Sequence, residues 1–235
     1  MNRLIIMAIV ALFVCESCVP AQKFRAPGYV SEYSYLSEIS VQVKCDIEND
    51  ELSLVLQCYS YNGSTDVGDY YFKKKNSTYY KLCQKFGDLY YNQKCAYMEN
   101  WVSRSNGVHV IADVVTDIRI VSDDDWNSEY TAGTLLNELF SLKYYTVYPY
   151  VESRYKTQNI TAVDDAVTDM PDLSLKMMMY DHYNERALLP SDWGPFTFMK
   201  LYTDRLPENP IQSLHITLTT DEGKTLEYSV EVDLN

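Results

Sequence analysis

Residues 39–58, ISVQVKCDIENDELSLVLQC, read as two strands folded back on one another. Ile39, Val41, Val43 and Cys45 alternate with polar neighbours, and so do Leu52, Leu54, Leu56 and Cys58, the period-two signature of half-buried strands. Glu48-Asn49-Asp50 supplies the turn between them. Pairing across that turn sets Cys45 opposite Leu52 and Cys58 opposite Ile39, which leaves the two sulfurs about 20 Å apart at ~3.4 Å per residue, beyond disulfide reach. Two further cysteines follow, Cys83 and Cys95. Four cysteines in an exported chain predict two bridges, and in this register Cys45 and Cys58 both join to that second pair. Loop-closure entropy favours local pairing instead, so the connectivity stays open.

The same alternation recurs along most of the chain. Strands are expected at Asp69 to Phe72, Ser77 to Cys83, Leu89 to Tyr97, Trp101 to Arg104 and Val108 to Val121, with Asn106-Gly107 suited to a type I′ hairpin turn. Later strands are expected at Tyr144 to Tyr155, Leu173 to Tyr180 and Phe196 to Tyr202. A closing hairpin, Ser213 to Thr219 and Thr225 to Leu234, turns at Asp221-Glu222-Gly223. In it Leu214, Ile216 and Leu218 share a dry face, as do Leu226, Tyr228, Val230 and Val232. One helix is expected from about Thr131 to Lys143, where Leu135, Leu136, Leu139, Phe140 and Leu142 recur at spacings of three and four. The pattern predicts a mainly β chain, a two-sheet antiparallel β-sandwich with one or two short flanking helices, folded as one domain over residues 22–235.

The N-terminus reads as a leader. Arg3 precedes an apolar run from Leu4 to Val14, and Val19-Pro20-Ala21 forms a small-residue exit, so residues 1–21 are expected to be a signal peptide cut before Gln22. Acylation of Cys18 is disfavoured by the approach Cys15-Glu16-Ser17. The expected fate is secretion into the extracellular space, with no membrane anchor. Three sequons, at Asn62, Asn76 and Asn159, are glycosylation candidates. Formal charge is 20 minus 33, or −13, which disfavours nucleic acid and anionic membranes as partners and would speed encounter with a basic protein.

No hydrolase elbow, P-loop, zinc helix or calcium loop is present, so an enzyme is not expected, nor any cofactor or bound metal. Asp181-His182-Tyr183-Asn184-Glu185 is the nearest approach to a reactive cluster and reads better as a polar strand exit. His109 and His215 lie in alternating strands and read as structural. Asp123-Asp124-Asp125 cannot all turn to one ion, and reads as a solvated loop. With Asp113, Asp117, Trp126 and Glu129 it forms the candidate ligand-binding region, an acidic face for Lys and Arg of a partner. Tyrosine is abundant, 22 in all, with doublets at Tyr70, Tyr79, Tyr90 and Tyr144 whose outward members suit protein or sugar contacts.

Gly107 to Glu152 resembles the secreted poxvirus immune-evasion family that includes the viral CC-chemokine inhibitor. The likeness rests on the strand Val108 to Val121, the acidic loop Ser122 to Trp126, the leucine stripe and the strand Tyr144 to Val151, with DLSLKMMMYDHYNE at 172–185 and SEISVQVKCDIEND similar as well. The resemblance implies a β-sandwich that sequesters a host immune protein, a basic chemokine or cytokine, through an acidic sheet face. It departs from relatives in lacking additional C-terminal cysteines. A carbohydrate-binding sandwich using outward tyrosines and Trp193 is the alternative, and a secreted hydrolase around His182 the weakest one.

Overall fold

The computed structural model describes residues 21–37, 39–46, 49–58, 64–98, 101–104, 108–169, 173–180, 189, 193–194 and 196–235. The expected leader, Asn62 and His182 lie outside them. The predominance of short antiparallel strands over short helices follows the sequence pattern.

The first hairpin forms in the register read from its alternation. β3 (Ile39–Asp46) pairs with β4 (Glu51–Cys58), Cys45 opposite Leu52 and Ile39 opposite Cys58. These strands edge a five-stranded sheet completed by β10 (Ser141–Thr146), β11 (Thr161–Ala166) and β12 (Thr197–Thr203), in the order β11-β10-β12-β4-β3. A second sheet holds β9 (Val115–Ser122), β13 (Ile211–Thr220) and β14 (Thr225–Asp233), in the order β14-β13-β9. Leu52, Leu54, Leu56, Leu142, Phe198 and Leu201 from the first share one core with Ile118, Ile120, Leu214, Ile216, Leu218 and Val232 from the second. The closing hairpin turns inward the faces its alternation assigns, burying Leu214, Ile216, Leu218 and Val232 and partly burying Leu226, Tyr228 and Val230.

A second hydrophobic core lies beside the sandwich. Its side chains come from β1 (Gln22–Ala26), β2 (Glu32–Ser34), two helices, β6 (Gln93–Met98) and β8 (His109–Ile111), among other segments, while β5 (Ser64–Asp66) pairs with β2 and β7 (Trp101–Arg104) pairs with β6. The two cores share a wall. Val110, Val114, Met177 and Met179 face the second core, while Ile111, Val115, Leu175 and Met178 face the sandwich. Apolar side chains on both sides of one extended segment are what a buried dividing wall requires.

Several expected elements are different in the structure. The tyrosine-rich stretches Asp69 to Phe72 and Ser77 to Cys83 are helical, in α1 (Val67–Lys73) and α2 (Thr78–Phe86). Asp66 caps the first through the Gly68 amide, and the Ser77 hydroxyl caps the second by accepting from the Tyr80 amide at 3.0 Å. Tyr79, Leu82, Cys83 and Phe86 then fall on one buried helical face. The expected helix from Thr131 to Lys143 is replaced by a single 3-10 turn at Asn137–Leu139 leading into β10. Asn137 ties that turn to β9, its side chain accepting from the Ile120 amide and donating to the Ile118 carbonyl. β7 pairs with β6, and β8 lies parallel to β2, so the hairpin expected around Asn106-Gly107 is not formed by these strands. The expected strand Tyr144 to Tyr155 stops at Thr146 and continues as α3 (Tyr148–Glu152).

The two expected disulfides are also corrected. Among the described residues, Cys45, Cys58, Cys83 and Cys95 form no disulfide with one another. Cys58 is in the sandwich core, Cys83 and Cys95 are in the second core, and Cys45 is exposed at the end of β3. Cys83 lies on the buried face of α2 and turns into the second core rather than toward the first hairpin.

Candidate functional site

The outer face of β14-β13-β9 carries a concentrated pattern of charge. Its side chains alternate with the buried ones, so β9 presents Asp117 and Arg119, and β14 presents Thr225, Glu227, Ser229, Glu231 and Asp233. β13 contributes Ser213, His215, Thr217 and Thr219 between them. Asp123 extends the row of Ser213 and Glu231, its amide donating to the Ser213 carbonyl at 3.0 Å. Five carboxylates therefore share this face with one arginine. Among the described residues no ion pair joins Asp117, Glu227 or Glu231 to a cation. Hydrogen bonds from the Asn235 amide and side chain hold the Asp233 carboxyl below the usual carboxylate range.

His215 stands at the centre of the face. Its Nε2 is 2.8 Å from Asp123 Oδ2 and its Nδ1 is 2.7 Å from Ser229 Oγ. The row has the order of a hydrolytic relay, but the imidazole and carboxylate side chains are 43% and 64% exposed on an open sheet. Without exclusion of water such a relay has little power to activate a hydroxyl. Its physical effect is to anchor Asp123 against the sheet.

The residues singled out from sequence divide into three groups. Asp117 and Asp123 are on the face. Asp124, Asp125 and Glu129 are exposed in the loop that follows β9, where Asp125 Oδ1 accepts from the Ala132 amide at 2.8 Å. Asp113 and Trp126 are buried, which corrects their assignment as surface contacts. Asp113 accepts from the Leu36 amide at 2.6 Å, and burial pushes its carboxyl up. Trp126 packs edge-on against Phe140 and donates Nε1 to the Arg205 carbonyl at 2.9 Å, sealing one end of the sandwich. Glu227, Glu231 and Asp233 were missed, although their alternation with Leu226, Tyr228, Val230 and Val232 carried the signal.

The carbohydrate alternative loses one platform. Trp193 is buried and donates to the Thr197 carbonyl at 2.7 Å. Asn76 and Asn159 are exposed. No helix among the described residues is long and apolar enough to cross a membrane. Comparison of the chain with family models, curated proteins and solved structures returned no match.

Proposed function

We propose that this chain is a secreted, non-enzymatic capture protein that lays the outer face of β14-β13-β9 against a basic protein, and that the ligand is an immune signal of the chemokine or cytokine kind. The observation carrying the reading is the five-to-one excess of carboxylates over cations on one continuous sheet face. The immune class of the ligand rests on the sequence resemblance. Capture works by occlusion: long-range attraction orients the encounter, and short-range packing sets the lifetime. The extended strands hold the carboxylates at fixed spacings, so little order is lost on binding.

The test is surface plasmon resonance of the purified chain against a panel of basic chemokines between 50 and 500 mM NaCl. The association rate should fall steeply with salt while the dissociation rate changes little. Binding that is indifferent to salt, or absent across the panel, contradicts the reading.

A further inference from the structure

A groove of about 400 Å³ opens between the C-terminal end of α2 and the turn after α3, remote in sequence from the acidic face. That volume suits one or two sugar rings. Two of its walls are tyrosine: Tyr90, a residue 65% exposed, and Tyr148 at the start of α3. Gln84, Glu152 and Arg154 line it with polar groups. The Arg154 guanidinium sits over the Tyr90 ring, 5.4 Å from its centroid.

The turn that presents Arg154 is conformationally unusual. Arg154 and Tyr155 have φ of 56° and 63°, a left-handed region that side-chain-bearing residues rarely occupy twice in succession. It is locked from several sides. The Tyr155 amide donates to the Tyr150 carbonyl at 2.7 Å, and the Tyr155 hydroxyl donates to buried Asp88 at 2.8 Å while accepting from the Tyr90 amide at 3.2 Å. The same tyrosine therefore positions both the guanidinium and the ring it covers.

In a chain of net charge −13, Arg154 has no carboxylate within ion-pair distance among the described residues. The other cation at the rim, Lys85, is already paired with Asp221 at 3.1 Å and Glu222 at 3.5 Å. One available planar cation, stacked on an exposed ring, matches a single carboxylate better than a phosphate, which calls on several cations. A sugar ring's apolar face suits tyrosine, and its hydroxyls suit Gln84 and Glu152.

We propose that this groove binds a glycan ending in a carboxylate-bearing sugar, with the carboxylate on the Arg154 guanidinium and the ring against Tyr90. The groove and the acidic face share no residue, so either site can fail without the other. The test is saturation-transfer NMR and calorimetry of the full secreted chain with 3′-sialyllactose and with lactose. Sialyllactose should bind and lactose should bind at least tenfold more weakly. Arg154→Asn should lose at least tenfold in sialyllactose affinity with the melting temperature held or raised, because asparagine tolerates positive φ. Tyr90→Ala, at an exposed position, should lose at least fivefold. Equal binding of the two sugars, no binding of sialyllactose at millimolar concentration, or full affinity in Arg154→Asn overturns the proposal.

Discussion

Removal of one buried carboxylate should loosen the second core while leaving the sandwich folded. Asp88 is fully buried and accepts from the amides of Tyr29 at 2.7 Å and Val30 at 3.0 Å, and from the hydroxyls of Tyr33 at 3.1 Å and Tyr155 at 2.8 Å. In Asp88→Ala, Tyr155 can turn toward water, but the two amides and the fully buried Tyr33 hydroxyl cannot. Three stranded donors at about 1–3 kcal/mol each, partly offset by relief of the carboxylate's own desolvation, give a net loss of about 3 kcal/mol. For a domain of this size that is a fall of roughly 6–12 °C in melting temperature. Near-ultraviolet circular dichroism of the tyrosines would follow it. Burial raises the Asp88 carboxyl against the opposing pull of its four donors. The native state therefore holds the proton to higher pH than the unfolded chain. The wild type's advantage over the alanine variant is fullest below the unfolded value of 3.8 and declines as pH rises through the higher folded value. A melting temperature within 2 °C of wild type would refute the reasoning.

Gly28→Ala tests the same hub from the opposite side: its Cβ would lie 2.5 Å from Asp88 Oδ2 and 2.8 Å from Cys83 Sγ, so a loss of about 1–3 kcal/mol is expected by chemical denaturation. Asp69 titrates in the opposite sense to Asp88. Burial alone would raise its carboxyl, but hydrogen bonds from Lys73, the Tyr79 amide and Thr65 outweigh that and hold it low. Its contribution to α2 is present above the unfolded value of 3.8 and is lost as pH falls through the folded one, so amide exchange at Thr78 and Tyr79 should accelerate there. Asp69→Asn should abolish that acceleration.

The hairpins β3-β4 and β13-β14 were legible because each has one wet and one dry side, and a period of two then determines which residues oppose. The dividing wall was harder: its two stretches read as strands, but apolar residues on both faces, Val110 and Ile111 or Met178 and Met179, left no wet side to tell which core each faces. α1 and α2 were misread because tyrosine favours strands, and that preference hid the capping side chains of Asp66 and Ser77. The acidic face was half legible. The run Asp123 to Asp125 is conspicuous in the sequence, whereas three of the five carboxylates on the face, Glu227, Glu231 and Asp233, are spread along the outward positions of β14. The link from His215 to Asp123 joins residues 92 apart and follows only from the packing of β9 beside β13.

The most direct measurement compares association rates of wild type and Glu227→Gln/Glu231→Gln/Asp233→Asn with a basic chemokine at 0.15 M salt. A charge pair ~8 Å apart contributes ~0.5 kcal/mol in water and ~0.2 kcal/mol after screening, so three carboxylates each facing one cation give about 0.6 kcal/mol, a roughly threefold slower association. That slowing, with the melting temperature unchanged, is the predicted result. An association rate equal to wild type would contradict capture through this face.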